Sequence, residues 1–243
     1  VRATVLVTRT PAECAGLAAA LEPHGIEVKP YPVLRVEEVE DGPGWRRLAE
    51  ALEGAGPRPT WLALASPRAP GRFVAAAGRH GLRTLLELPA AAVGAATARA
   101  AREAGLEVTL VGDAGAAALA SALLERLEAG AAVVLPRGRH ARRELPEALE
   151  RAGHPVLPVT VYAMRPAPPR ELPPLGPRVD AVVLTSPRTA RYYLEAVGGR
   201  PLPVPHWAIG ATTRDAAAAL GIACRTPAHP DMETLAEELC RSL

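Results

Sequence analysis

The chain contains no asparagine and no glutamine, and Lys29 is its only lysine. Arginine, alanine, leucine and proline replace them, a bias that heat adaptation and GC-rich coding would each produce. The three cysteines, Cys14, Cys224 and Cys240, show no C-x-x-C spacing, which argues against a disulfide framework and against a cysteine zinc site. The six histidines show no ligand spacing either, so no metal is expected. No run of about 18 residues is apolar without an Arg, a Glu or a break, so no membrane span is expected. The opening VRATVLVTR reads as a strand and not as a signal-peptide core, and a reducing cytoplasm is expected. A net charge of only +2 gives no global field for nucleic acid. There is no G-x-G-x-x-G or Walker A pattern, and RGRHAR lacks the glycines of a dinucleotide loop, so no cofactor is expected.

What the chain does have is duplication. TWLALASPRAPGRFV (60–74) is similar to DAVVLTSPRTARYYL (180–194), and AVGAATARAAREAG (92–105) to AIGATTRDAAAALG (208–221). Each copy continues into a strand-like stretch and a helix, expected over 115–128 and 232–242. A shorter pair lies between these long units. VLVTRTPAECAGLAAALEPHGIEVKPYPV (5–33) aligns without a gap with VVLPRGRHARRELPEALERAGHPVLPVTV (133–161). The order is short, long, short, long, and the pattern does not say which short unit packs with which long one.

Local signals support strand–helix alternation. A strand over Thr4–Thr8 is followed by Thr10 as N-cap, Pro11 at the first helical position and Glu13 completing a capping box. Gly25, Gly105 and Gly221 sit where helices close. Ser66 and Ser186 each precede a proline at an expected helix start. Apolar runs without alternation, each followed by a helix, indicate parallel strands buried on both faces. The segments 31–40 and 158–165 alternate, like exposed ribbon, and the Pro-rich 165–177 reads as a stiff connector.

Ligands of open α/β sheets sit at the carboxyl ends of the strands. The residues placed there are Arg9, Ser66, Gly94 to Thr97, Arg137 to Arg139, Thr185 to Arg188 and Gly210 to Thr213. They are Ser, Thr, Gly and Arg almost throughout, with no carboxylate pair and no Ser-His-Asp set. Helix N-termini, hydroxyls and guanidinium forks are equipment for anions. Ser-Pro as a plain cap accounts equally for Ser66 and Ser186. The run Arg137–Arg143 opposes the dipole of a helix starting there, which favours an acidic ligand, although its arginines could all face water. Tyr162 is either a half-buried ribbon aromatic or a cleft hydroxyl. A tyrosine is protonated at neutral pH and can donate to a departing oxygen.

The N-terminal VLVTR, the paired SPR and G-A-x-T turns, the central VVLPRG and the VTVY stretch together, over residues 1–243, resemble the uroporphyrinogen-III synthase family. The resemblance implies two similar parallel-sheet, flavodoxin-like α/β lobes joined by a two-stranded β ribbon. Lobe one would be 1–34 plus 168–243, lobe two 39–159, and the crossovers 35–38 and 160–167. It implies a cytoplasmic, cofactor-free lyase, a monomer, whose partner is a small-molecule substrate. Linear hydroxymethylbilane, an octacarboxylate tetrapyrrole, would close to uroporphyrinogen III with inversion of ring D through a spiro intermediate. The family's tyrosine falls on Tyr162, and its cleft residues on Ser66, Thr97, Ser186, Thr212 and Thr213. With the residue reading, the expected substrate-binding set is Arg9, Ser66, Thr97, Arg137, Gly138, Arg139, Ser186, Pro187, Thr212 and Thr213. Ala65 stands where the family often has a threonine, so no hydroxyl can be required there. The alternatives are a non-catalytic two-lobed binding or sensor protein for an acidic small molecule, and a phosphate-handling α/β enzyme.

Overall fold

The computed structural model of the chain describes residues 2–112 and 115–243. Val1, which opens the N-terminal apolar stretch, lies outside them. The first half runs β1 (Ala3–Val7), α1 (Pro11–Leu21), β2 (Ile26–Pro30), β3 (Leu34–Glu38), α2 (Gly42–Leu52), β4 (Pro59–Leu64), α3 (Pro70–Arg79), β5 (Ala90–Val93), α4 (Gly94–Glu103) and β6 (Val108–Gly112). The second half runs α5 (Ala116–Leu124), β7 (Ala132–Gly138), α6 (Glu144–Arg151), β8 (Val156–Pro166), β9 (Ala181–Leu184), α7 (Pro187–Ala196), β10 (His206–Ala208), α8 (Ala211–Ala218), β11 (Cys224–Arg225) and α9 (Met232–Ser242).

These elements form two parallel-dominated sheets. One has five strands in the order β11-β10-β9-β1-β2, the other six in the order β3-β8-β7-β4-β5-β6. The chain divides into two compact units, Val1–Arg35 with Arg165–Leu243, and Val36–Met164. The first short unit therefore pairs with the second long unit, and the central long and short units pair with each other. Apart from β3, the strand order of the two sheets is the same.

The caps follow the local chemistry. Thr10 caps α1 through the Glu13 N–H while Glu13 reaches back to the Thr10 N–H, with Pro11 at the first position. Gly25 adopts φ 71° and Gly153, its counterpart in the repeat, φ 86°, a region that costs a residue with a Cβ about 1–2 kcal/mol. In the first unit Val5, Val7 and Val183 face Leu17, Leu21, Leu235 and Leu239 of α1 and α9. Leu6, Val182 and Leu184 face the opposite layer, with Ala190, Tyr193, Ala217 and Ile222 of α7, α8 and the turn after α8. The second unit repeats the arrangement, with Leu62, Leu64 and Val134 against α2, α3 and α4, and Ala63, Val133 and Leu135 against α5 and α6. Each fully buried leucine in these layers contributes about 1.5–3 kcal/mol.

Two local expectations are corrected. The stretch 158–165 is not free ribbon, since Pro158, Val159, Thr160 and Tyr162 pair with β7 inside the sheet and Val159, Val161 and Tyr162 are buried. The helix after Ser66 does not start at Pro67. In the second copy the Ala190 N–H closes the first turn on the Ser186 carbonyl at 3.0 Å. The matching residue in the first copy is Pro70, which has no N–H. The Ser66 carbonyl instead accepts from Ala69 (3.2 Å), and α3 starts one turn later with Pro70 at its first position. Among the described residues no helix is long and apolar enough to cross a membrane.

Candidate functional site

In each sheet the direction of strand succession reverses once, between β9 and β1 in the first unit and between β4 and β7 in the second. Such switch points open a crevice at the carboxyl ends of the strands.

In the second unit that position holds a cavity of about 370 Å³. Ser66 after β4, Arg137 and Gly138 at the end of β7, and Tyr162 on β8 all line it, with His140 and Arg142 from the following turn, Gly115 at the start of α5, and Glu144. The Tyr162 hydroxyl donates to Ser66 Oγ at 3.0 Å. Ser66 Oγ also accepts from the Arg68 N–H at 3.3 Å. With two lone pairs, the Ser66 oxygen accepts from both. The Arg137 Nε is buried with no hydrogen-bond partner among the described residues, an uncommon state for a donor of this strength. Arg137 lines both this cavity and the polar groove beside α6.

The arginine run is placed differently from the expectation. Arg137 and Gly138 still belong to β7, and α6 begins only at Glu144, with Glu144 and Glu147 in its first turn. The unfavourable dipole argument therefore does not apply to Arg137. Arg143 pairs with Glu147 at 3.1 Å. Arg139 gives its N–H to the Tyr162 carbonyl at 2.9 Å, while its side chain is exposed in an adjoining polar groove that also holds Arg137, His140, Arg143, Glu147 and Glu150. Thr97 is 3% exposed and lies within α4, outside the set that lines the cavity.

In the first unit the switch point holds a hydroxyl network. Thr8 Oγ1 donates to the Val183 carbonyl (3.0 Å) and accepts from the Thr185 N–H (3.3 Å). Ser186 caps α7 by accepting from the Thr189 N–H at 3.1 Å, and Thr189 Oγ1 accepts in return from the Ser186 N–H at 2.9 Å. Pro187 is exposed at the first position of α7. Arg9 follows β1 and is half-buried. Thr212 is exposed in the first turn of α8, whereas Thr213 is buried. The two G-A-x-T copies have diverged in backbone, with Gly94 at φ 75° and Gly210 extended at φ −173°. Sequence reasoning missed Thr8 and Thr189. A threonine ending an apolar run, and one three residues after Ser186, were the available signals.

Among the described residues no cluster of three or more His, Cys, Asp or Glu could hold a metal. Burial pushes the Cys14 and Cys224 thiols up to about 11, so neither supplies a thiolate at neutral pH. The cavity itself presents the Ser66 and Tyr162 hydroxyls, the Arg137 and Arg142 guanidinium groups, the His140 ring and the Glu144 carboxylate.

Comparison with known proteins gives the family. The family model described as uroporphyrinogen-III synthase HemD matches residues 15–237. The fold is similar to a mutant uroporphyrinogen III synthase from the extremely thermophilic bacterium Thermus thermophilus, with 22% identity, TM-score 0.56, and 99% of this chain and 98% of that one covered. It is also similar to uroporphyrinogen-III synthetase from Helicobacter pylori, with 17% identity, TM-score 0.65, and 100% and 99% covered. No curated protein matches the chain by sequence.

Proposed function

The chain belongs to the uroporphyrinogen-III synthase family, which makes it an enzyme of tetrapyrrole biosynthesis, and on that premise we propose how its residues act. Tyr162 is the acid that assists loss of the hydroxyl from hydroxymethylbilane. The carbon–oxygen bond breaks, the oxygen leaves as water with a proton donated by the tyrosine, and the bilane becomes an electrophilic azafulvenium cation beside the tyrosinate, which recovers a proton when the ring proton is lost on final reclosure. The substituted carbon of ring D attacks first and forms a spiro intermediate, which fragments and recloses with ring D inverted. Positioning of this kind can contribute about 7–11 kcal/mol, and acid assistance about 10²–10⁴-fold.

The observation that carries the acid role is the Tyr162 hydroxyl itself. It lies at the cavity on a residue only 9% exposed and is held by Ser66 at 3.0 Å. In this reading a leaving hydroxyl takes Ser66's place as acceptor. Arg137, with its unpartnered Nε, is the residue we assign to a substrate carboxylate in the second unit, supported by Ser66 and Gly138, with Thr97 shaping the α4 turn. Arg139 would act from the neighbouring groove. Arg9, Ser186, Pro187, Thr212 and Thr213 are the corresponding set in the first unit, where hydroxyls and helix N-termini suit carboxylates.

The finer architectural reading belongs to the same proposal. The chain passes between its units along β3 and β8, whose flanks exchange the Val39 N–H to Val161 carbonyl and Ala167 N–H to Val33 carbonyl bonds. These are read as the two-stranded ribbon joining similar lobes. A reducing, cytoplasmic setting is what the three free cysteines support, and the monomer is carried over from the family resemblance alone.

Isomer analysis of the product formed from hydroxymethylbilane tests the activity, with isomer III expected and isomer I overturning it. In that assay Tyr162→Phe is expected to lower kcat by about 10²-fold or more with product affinity largely retained. Unchanged turnover would remove Tyr162 from the mechanism.

A further inference from the structure

We propose that Gly138 is a positioning residue for the Tyr162 hydroxyl, acting by the absence of a side chain. This rests on the reading of Tyr162 as the acid. In the β7–β8 ladder Arg137 pairs with Thr160 and Gly138 with Tyr162, so Val161 is an extra residue on β8. A bulge of this kind re-aims the side chain that follows it. Here it sets Tyr162 directly opposite Gly138, with the Arg139 N–H fastened to the Tyr162 carbonyl at 2.9 Å.

The ring then lies on the bare Cα of the neighbouring strand. A Cβ at 138 would stand 2.7 Å from both Cε2 and Cζ of Tyr162 and 3.0 Å from its hydroxyl oxygen. Carbon atoms ordinarily meet at about 3.5–4.0 Å. Gly138 is not among the glycines with positive φ, so backbone freedom does not explain it, whereas close approach does. At Gly138 the β7 backbone is held by the β8 ladder and by the Arg139 N–H on the Tyr162 carbonyl, and the rest of the tyrosine packs in the buried cluster with Leu64, Val134 and Val161. The ring is therefore the part that must yield, and the open direction is the cavity. Yielding would break the 3.0 Å bond to Ser66 and misplace the donor.

The full chain carrying 3-fluorotyrosine at position 162 gives the test. By fluorine NMR, Gly138→Ala is expected to shift the position-162 resonance. A misplacement of about 1 Å can cost about 10²-fold, and kcat should fall on that scale while KM changes less. In the Tyr162→Phe background the same alanine should cost kcat at least about tenfold less than in the parent chain, because no hydroxyl remains to misplace. An unmoved resonance in folded Gly138→Ala, or an equal loss of kcat in both backgrounds, overturns the proposal. If Gly138→Ala fails to fold, the double variant Gly138→Ala/Tyr162→Leu carries the test. The proposal requires the smaller side chain to restore folding, and failure of the double variant while Tyr162→Leu folds refutes it. A moved resonance together with unchanged turnover in Tyr162→Phe would refute the acid role and leave the placement standing.

Discussion

Single side chains differ in how much of their role can be read locally. Ser66 and Ser186 occupy the same motif, yet Ser186 caps a helix and Ser66 receives the Tyr162 hydroxyl. The difference comes from Pro70 against Ala190, four residues on. His206 shows how burial sets a protonation state. Its Nδ1 must donate to the Val204 carbonyl at 2.8 Å, so its Nε2 accepts from the Tyr193 hydroxyl at 2.9 Å. The Tyr193 oxygen accepts in turn from the Leu202 N–H at 3.1 Å. Burial lowers the His206 pKa, offset in part by the bond to Val204, and pushes Tyr193 up to about 12. The unfolded chain takes up the His206 proton at a histidine's ordinary value, about 6.5, and the folded chain takes it up only below that. Stability from His206 is thus complete above about pH 6.5 and is lost as pH falls through the folded pKa. Urea midpoints measured against pH should show this decline in the parent chain and a shallower one in His206→Phe. Identical slopes would exclude the linkage.

Secondary elements were the most legible level, and their junctions the least. The capping box of α1, its proline and Gly25 are all local chemistry and all occur as the residues suggest. The start of α2 is different. Asp41 accepts from the Gly44 N–H at 3.1 Å as its N-cap and from the Thr160 N–H at 2.8 Å. One carboxylate thereby ties a helix start to β8, two residues before Tyr162. Partial burial would raise the Asp41 pKa, but the bonds from Thr160 and Gly44 and the nearby Arg47 outweigh it, and the net shift is downward. Stability from Asp41 is full above a carboxylate's ordinary value of about 3.9 and is lost as pH falls through the lower folded pKa. Asp41→Ala should cost about 0.5–2 kcal/mol for the lost cap, and about 1–3 kcal/mol more if the Thr160 N–H is left without a partner. Denaturant unfolding measures it. A loss confined to the cap range would mean that the Thr160 contact contributes nothing.

For the molecule as a whole, the discontinuous unit is the main consequence of the chain order. Residues 1–35 supply β1, which lies between β9 and β2 in the five-stranded sheet. The ends of the inserted segment must be brought together, but loop closure costs only about 0.6 kcal/mol per doubling of length, so the insertion is tolerated. The inserted unit, Val36–Met164, holds five successive neighbours, β8-β7-β4-β5-β6, and both of its helix layers. Expressed alone, residues 36–164 should give a helical far-UV CD spectrum and one cooperative urea transition. A chain lacking residues 1–35 should retain that transition and lose the other unit's. A segment 36–164 without cooperative unfolding would show that it depends on the rest of the chain.

The sequence by itself determined the alternation of strand and helix and the twofold repeat. These depend on caps, missing N–H groups and apolar periodicity, which act within a few residues. It did not determine which short unit packs with which long one, because duplicated copies present the same apolar faces and either pairing satisfies the pattern. Nor did it place Tyr162 on Gly138. That contact needs two strands in register with one extra residue between their matched pairs, and register is fixed by packing across the sheet, not by either strand alone.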